Sequence, residues 1–156
     1  MSQEQPALLN PEGSLPQNVI ARMRVARKTK PVWAKRVDND QQVTSLEGVQ
    51  QLSAGDFLCR GIQNEYWPQS SKKLLGNYTP SRQLDHDGFE RFDPKPDGNW
   101  VLVTKIDQPF RVVTAWRNLQ GKAGDYVVLS MEDPTDIWIV DLAIFDASYE
   151  FRNESP

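Results

Sequence analysis

Short runs of β-branched and aromatic residues, each closed off by Gly, Pro, Asn or Asp, mark the second half of the chain at residues 101–106, 111–116 and 126–131. Such residues fit a pleated, half-buried surface, so these runs predict strands. Residues 32–37, 42–47 and 56–60 repeat the spacing with more polar side chains and predict strands of shallower burial. In each half a tryptophan follows, Trp67 or Trp138, and then a stretch with helical spacing, "SSKKLLGNY" or "DLAIFDASY". Ser70 or Ser71 and Asp141 suit the N-cap position of these helices. Leu74 with Tyr78, and Phe145 with Tyr149, lie four apart and share a helical face.

The two halves also match residue by residue. Moved by 69 residues, "PVWAKRVDNDQQVTSLEGVQQLSAGDFLCRGI" lies on "WVLVTKIDQPFRVVTAWRNLQGKAGDYVVLSM" without a gap. Val32 meets Val101, Asp38 meets Asp107, Val43 meets Val112, Gln51 meets Gln120, and the Ala-Gly-Asp triplets coincide. A two-residue insertion in "EDPTDIW" shifts the offset to 71, after which Trp67 meets Trp138 and Tyr78 meets Tyr149. The pattern predicts an α+β, mostly β fold. It consists of two tandem copies of a small unit of three to four short strands and one short helix, related by pseudo-symmetry and sharing a core. The expected organisation is a disordered tail at 1–13, a basic helical or extended segment at 14–30, a first copy at 31–80, a connector at 81–99, a second copy at 100–151 and a tail at 152–156. From Ser14 a helix is expected with Pro16 in its first turn and Leu15, Val19, Ile20 and Met23 roughly on one side. In the connector, Phe89 and Phe92 suggest a short strand leading into the Asp97-Gly98 turn.

The recurring "AGDFL" and "AGDYV" read as corners. Glycine permits a positive φ or a tight bend before a strand, and the aspartate can accept backbone N–H groups in that bend. The sequence around them resembles the PGDYG-type small domain of bacterial and phage proteins. In "AGDFL…YWPQSSKKLLGNY" the matching residues are Gly55, Asp56, Trp67, Pro68, Leu74 and Tyr78. In "AGDYV…IWIVDLAIFDASYEF" they are Gly124, Asp125, Tyr126, Trp138, Phe145 and Tyr149. Ala54 and Ala123 stand where that family has proline, and its final glycine is absent from both. The resemblance covers residues 31–80 and 100–151 and implies a fold, with no catalytic residue to carry over.

Charge refines the picture more than composition does. Residues 1–80 carry ten Lys/Arg against seven Asp/Glu, and residues 81–156 carry eight against fourteen. No acid lies between Glu12 and Asp38, a stretch that holds Arg22, Arg24, Arg27, Lys28, Lys30, Lys35 and Arg36. This segment reads either as a solvated face that docks on the acidic second half or as an anion or nucleic-acid contact. No stretch approaches the roughly 20 apolar residues of a membrane span, and the first residues lack a basic region followed by an apolar one, so a cytoplasmic protein without membrane contact is expected.

Candidate chemistry is sparse. The lone His86 sits between Asp85 and Asp87, whose neighbouring side chains converge poorly on one ion, and Cys59 falls in a predicted strand with no histidine near it in sequence. No metal or other cofactor is expected. The five tryptophans are the richer feature; Trp33 and Trp116 stand outside the repeated Trp67 and Trp138 frame and are the better candidates for a ligand surface. The leading expectation is a non-catalytic module that binds a protein partner or small ligand at the seam between its copies, near Trp33, Trp116, Asp56 and Asp125. The alternatives are a hydrolase or acid/base enzyme using Asp56 and Asp125, and nucleic-acid binding through residues 22–36.

Overall fold

The computed structural model describes residues 6–46, 48–114 and 118–152. In chain order its elements begin with β1 (Ala7–Leu8), α1 (Gln17–Ile20), β2 (Arg24–Lys28), β3 (Val32–Arg36), β4 (Gln41–Ser45), β5 (Gly48–Leu52) and β6 (Phe57–Arg60). They continue with β7 (Tyr66–Gln69), α2 (Ser71–Asn77), β8 (Tyr78–Leu84), β9 (Glu90–Pro94), β10 (Trp100–Lys105) and β11 (Phe110–Val113). The last are β12 (Asn118–Gly121), β13 (Tyr126–Ser130), β14 (Ile137–Val140), α3 (Leu142–Ser148) and β15 (Tyr149–Phe151). The chain is thus mostly β, with three short helices among the described residues; none of these is long and apolar enough to cross a membrane.

Two compact units result: a central unit, Arg27–Asn99, and a split unit of residues up to Ala26 together with those from Trp100 on. The central unit holds a five-stranded sheet in the order β7-β6-β3-β9-β8 and the hairpin β4-β5. The split unit holds a five-stranded sheet in the order β14-β13-β10-β2-β15 and a three-stranded sheet, β1-β11-β12. Registers agree pair for pair. Lys35 faces Leu58 and Thr104 faces Val127; Gln41 faces Leu52 and Phe110 faces Gly121; Phe57 faces Gln69 and Tyr126 faces Val140.

One strand of each sheet comes from elsewhere in the chain. β2 runs directly into the strands of the central unit yet pairs between β10 and β15, while β9, which runs into β10, pairs between β3 and β8. The stretches 31–80 and 100–151 therefore each lack one strand of their sheet; the 14–30 segment, expected as helical or extended, holds α1 and β2, and the 81–99 connector holds β9. Periodicity shows that a run is a strand but not which strand it joins.

The N-terminal stretch differs from expectation as well. From Pro6 on, residues expected in a disordered tail are fixed by β1, which runs parallel to β11, and by Asn10, only 3% exposed. The Asn10 amide donates to the Val113 carbonyl at 2.6 Å and its oxygen accepts the Val113 N–H at 3.0 Å, so strand pairing and these side-chain bonds hold the segment, together with Leu9 packed against the apolar cluster. Of the tail expected at 152–156, Arg152 donates its N–H to the Val25 carbonyl, and the rest lies outside the described residues. Pro16 takes the N-cap position of α1 rather than its first turn, where its missing N–H costs nothing.

Burial is unequal. In the split unit both faces of the sheet are packed. Leu15, Val19, Ile106, Phe110, Val112, Leu119, Val127, Leu129, Ile137 and Ile139 form one cluster, and Ala26, Val101, Val103, Tyr126, Val128, Val140 and Phe145 form another. The central unit has one such cluster, Val32, Ala34, Cys59, Leu74, Tyr78 and Phe92. All three clusters follow from strand alternation, with α2 and α3 supplying Leu74 and Phe145 from above.

Candidate functional site

The Ala-Gly-Asp corners are built alike. Gly55 and Gly124 take φ of +91° and +95°, a region that L side chains avoid. Gly55 donates to the Val37 carbonyl and Gly124 to that of Ile106; Val37 in turn donates to the backbone carbonyl of Asp56 and Ile106 to that of Asp125. Each carboxylate accepts the N–H of the residue three before it, Asp56 from Ser53 at 3.1 Å and Asp125 from Lys122 at 3.0 Å. Asp125 is buried, and it also takes the Lys122 ammonium, which reaches on to Asp141, the N-cap of α3. Hydrogen bonds to both carboxylates hold the Lys122 ammonium above the usual lysine range. Asp56 and Asp125 belong to different units and each is occupied in closing its own corner.

The basic segment is spread over unrelated tasks. Arg22 and Lys30 are exposed. The Arg24 guanidinium lies 3.8 Å over the Phe151 ring. Arg27 donates to the Lys95 and Gly98 carbonyls, fixing the β9–β10 turn. Lys28 lies 4.6 Å over the Trp67 ring. Alternation along β2 and β3 sends successive side chains to opposite faces, so a continuous run of charge in sequence does not become a continuous patch.

Trp33 is placed differently. Across the central sheet the register sets Tyr66, Arg60, Trp33 and Arg91 in one row, on the face opposite the core, with Pro68, Leu58 and Lys35 in the next. The Arg60 guanidinium lies 4.5 Å from the centre of the Phe89 ring and 5.7 Å from that of Trp33, and it pairs with the Asp85 carboxylate. Phe89 lies 6.3 Å from Tyr66. Asp85 is locked by its own turn, accepting the N–H groups of Asp87 and Phe89. The Arg60 bond, with these two, holds its carboxyl below the usual carboxylate range. Lys35 donates to the Asp87 carbonyl. Trp33, Leu58, Arg60, Tyr66 and Pro68 are all half-buried.

The corresponding face of the split unit has opposite chemistry. There the paired rows are Ile137, Leu129 and Leu102, then Ile139, Val127 and Thr104. Ile137 and Val127 are fully buried, Leu129 is 5% and Ile139 6% exposed. Val19, five residues before β2, joins that cluster; Asp85 stands five residues before β9 and meets Arg60. Each buried aliphatic contributes about 1.5–3 kcal/mol, whereas a partly buried ion pair returns little net stability. The central unit thus carries an ion pair and half-buried aromatics at a face where the split unit packs buried aliphatic side chains.

Trp116 lies outside the described residues. Cys59 is buried and its thiol is pushed up to about 12 by burial, which keeps it protonated and unreactive. His86 is exposed beside Asp87, 3.5 Å away. Among the described residues no three His, Cys, Asp or Glu side chains gather as metal ligands would. The sequence drew attention to Asp85 only as a neighbour of His86 and to Phe89 only as part of a strand, which begins one residue later at Glu90, and not to Arg60 or Tyr66; the signal present was Leu129 and Ile137 at the matching positions. Comparison of the chain with protein-family models, with curated proteins and with solved structures gave no match in any of the three.

Proposed function

We propose that this chain is a non-catalytic binding module derived from two tandem copies of one small PGDYG-like unit, in which the split unit serves as scaffold and the central unit presents the binding face. The single observation that carries this reading is the half-buried row Tyr66, Arg60 and Trp33, which occupies the register of the buried Ile137 and Leu129 and the half-buried Leu102. Matching strand registers and the twin glycine–aspartate corners support descent of both units from one ancestor. Local departures from the most stabilising choice are expected at functional sites, where stability is given up for recognition. Aromatic rings flanking a guanidinium offer a partner both apolar area and a fixed donor. The occupant in this reading is a protein segment or small molecule that covers Trp33 and Tyr66 and carries an acceptor for Arg60.

The test is native mass spectrometry of the protein isolated from its own cells. The wild type retains an additional mass that Tyr66→Ala and Trp33→Ala lose while their thermal unfolding stays cooperative. Equal retention by wild type and both variants contradicts the reading.

A further inference from the structure

On the opposite face of the central sheet stands a group with no part in that binding surface. Lys28, the last residue of β2, is half-buried and places its Nζ 4.6 Å over the ring centre of Trp67. Trp67 packs against the cluster of Val32, Ala34, Cys59, Leu74, Tyr78 and Phe92, so one side of the amine is an apolar wall. Cys59 faces Trp67 directly across β6 and β7. Two titratable groups act on the amine, the Cys59 thiol and the Glu65 carboxylate.

Glu65 is held by a tight turn. Gly61 donates to the Glu65 carbonyl at 2.9 Å, Asn64 donates to the Gly61 carbonyl at 3.1 Å with its own φ at +60°, and the Gln63 N–H reaches Glu65 Oε1 at 3.2 Å. The carboxylate fills the space beside Gly61: a Cβ there would fall 1.7 Å from Oε1. Glycine at 61 thus leaves room for a carboxylate, and the neighbouring Arg27 pins the end of β2 to the Lys95 and Gly98 carbonyls. The result is an amine on a fixed strand end, an aromatic wall beneath it and an acid held by its own turn. Burial lowers the amine to about 8, against the partial opposing effects of Cys59 and Glu65, so a useful fraction is uncharged at neutral pH.

We propose that Lys28 is a nucleophilic amine that takes up aldehydes with an apolar or aromatic body as a reversible imine, with Glu65 as the proton carrier. The Nζ lone pair forms a bond to the carbonyl carbon while the C=O π pair moves to oxygen, which receives a proton. The carbinolamine then loses that oxygen as water with the remaining nitrogen proton, leaving C=N. One aldehyde enters and one water leaves, and nothing is oxidised or reduced. The body of the aldehyde lies against the Trp67 indole, and Glu65 supplies and recovers the proton.

The test uses the full chain with benzaldehyde and cyanoborohydride at pH 7, which traps the imine as a stable secondary amine. Peptide mass mapping then follows the adduct at each of the eight lysines. A lysine near 8 holds more than roughly a hundredfold more free amine at pH 7 than one near 10.5, and the expected result is labelling at Lys28 at least tenfold faster than at the other seven. The preference disappears in urea, and Glu65→Gln slows labelling at Lys28 about tenfold without altering the rest. Labelling of folded wild type that is no faster at Lys28 than elsewhere overturns the proposal, as does a preference that survives in urea. Because the primary reading is made on the wild type, it stands even if a variant fails to fold.

Discussion

Phe110 and Gly121 face each other across β11 and β12, and the phenyl ring occupies the place of the missing side chain: a Cβ on Gly121 would lie 2.3 Å from two ring carbons. In the central unit the same register pair is Gln41 and Leu52, with the bulk on the other strand and Leu52 fully buried. Gly121→Ala is therefore expected to destabilise the protein by about 1–3 kcal/mol through overpacking. Gly121→Leu combined with Phe110→Gln is expected to be less damaging than Gly121→Leu alone. Urea unfolding midpoints measure both, and equal midpoints for the single and double variants contradict the exchange of bulk.

The corners carry a second prediction. Gly55→Ala and Gly124→Ala force an alanine into positive φ and are each expected to cost about 1–2 kcal/mol. Asp125→Asn, which weakens bonds of a buried carboxylate to Lys122, is expected to cost about 1.5–3 kcal/mol. Asp56→Asn, at a more open corner with no ammonium on its carboxylate among the described residues, is expected to cost less. Chemical denaturation of the four variants ranks them, and a larger loss at Asp56 than at Asp125 reverses the argument.

Alkaline stability follows from Lys28 and Cys59. The amine sits at about 8 against an ordinary 10.5, and the thiol at about 12 against 9.0. Between pH 8 and 9 the unfolded chain binds a proton on the lysine that the folded chain has shed, so stability rises with pH. From pH 9 to 10.5 the thiol opposes this, because the folded chain keeps a proton the unfolded chain has lost. Above pH 10.5 the thiol effect remains and stability falls, joined by Tyr126, raised by burial, and Lys122, raised by its bonds to Asp141 and Asp125. Melting temperatures are expected to rise from pH 8 to 9 in the wild type and to stay level over that interval in Lys28→Met.

Arg60 holds the register place of Leu129, and Asp85, like Val19, stands five residues before a strand that completes its sheet. Asp85→Ala leaves a guanidinium without its carboxylate and is expected to lower the melting temperature. Arg60→Leu with Asp85→Val restores the split unit's chemistry and is expected to recover or exceed wild-type melting while abolishing ligand retention. A double variant that melts below both single variants contradicts the equivalence of the two faces.

Much of the local structure was legible in the sequence because it is dictated locally. Ser70 and Asp141 cap α2 and α3, as their position before a helical spacing implies. The strands at 101–106 and 126–131 announce themselves by β-branched residues, and they observe their bounds to within a residue. By contrast, "GVQQL" and "NLQG" carry little apolar signal, yet become β5 and β12 because a hairpin partner supplies their hydrogen bonds. The exchange of β2 and β9 was not legible, since neither run encodes which sheet it completes. Trp33 was singled out as a large aromatic residue, but the face that gives it meaning comes from Arg60, Asp85 and Phe89, which cross-strand register and a distant turn bring to it.

The central claim, that the face of Tyr66 and Trp33 is the occupied surface, is tested most directly by a photo-crosslinking amino acid placed at Tyr66 and, for comparison, at Met131, which is 50% exposed in the split unit. After irradiation in the protein's own cells, intact mass of the purified chain is expected to show a discrete adduct from position 66 and none from position 131. No adduct from position 66, or the same adducts from both, would contradict the account.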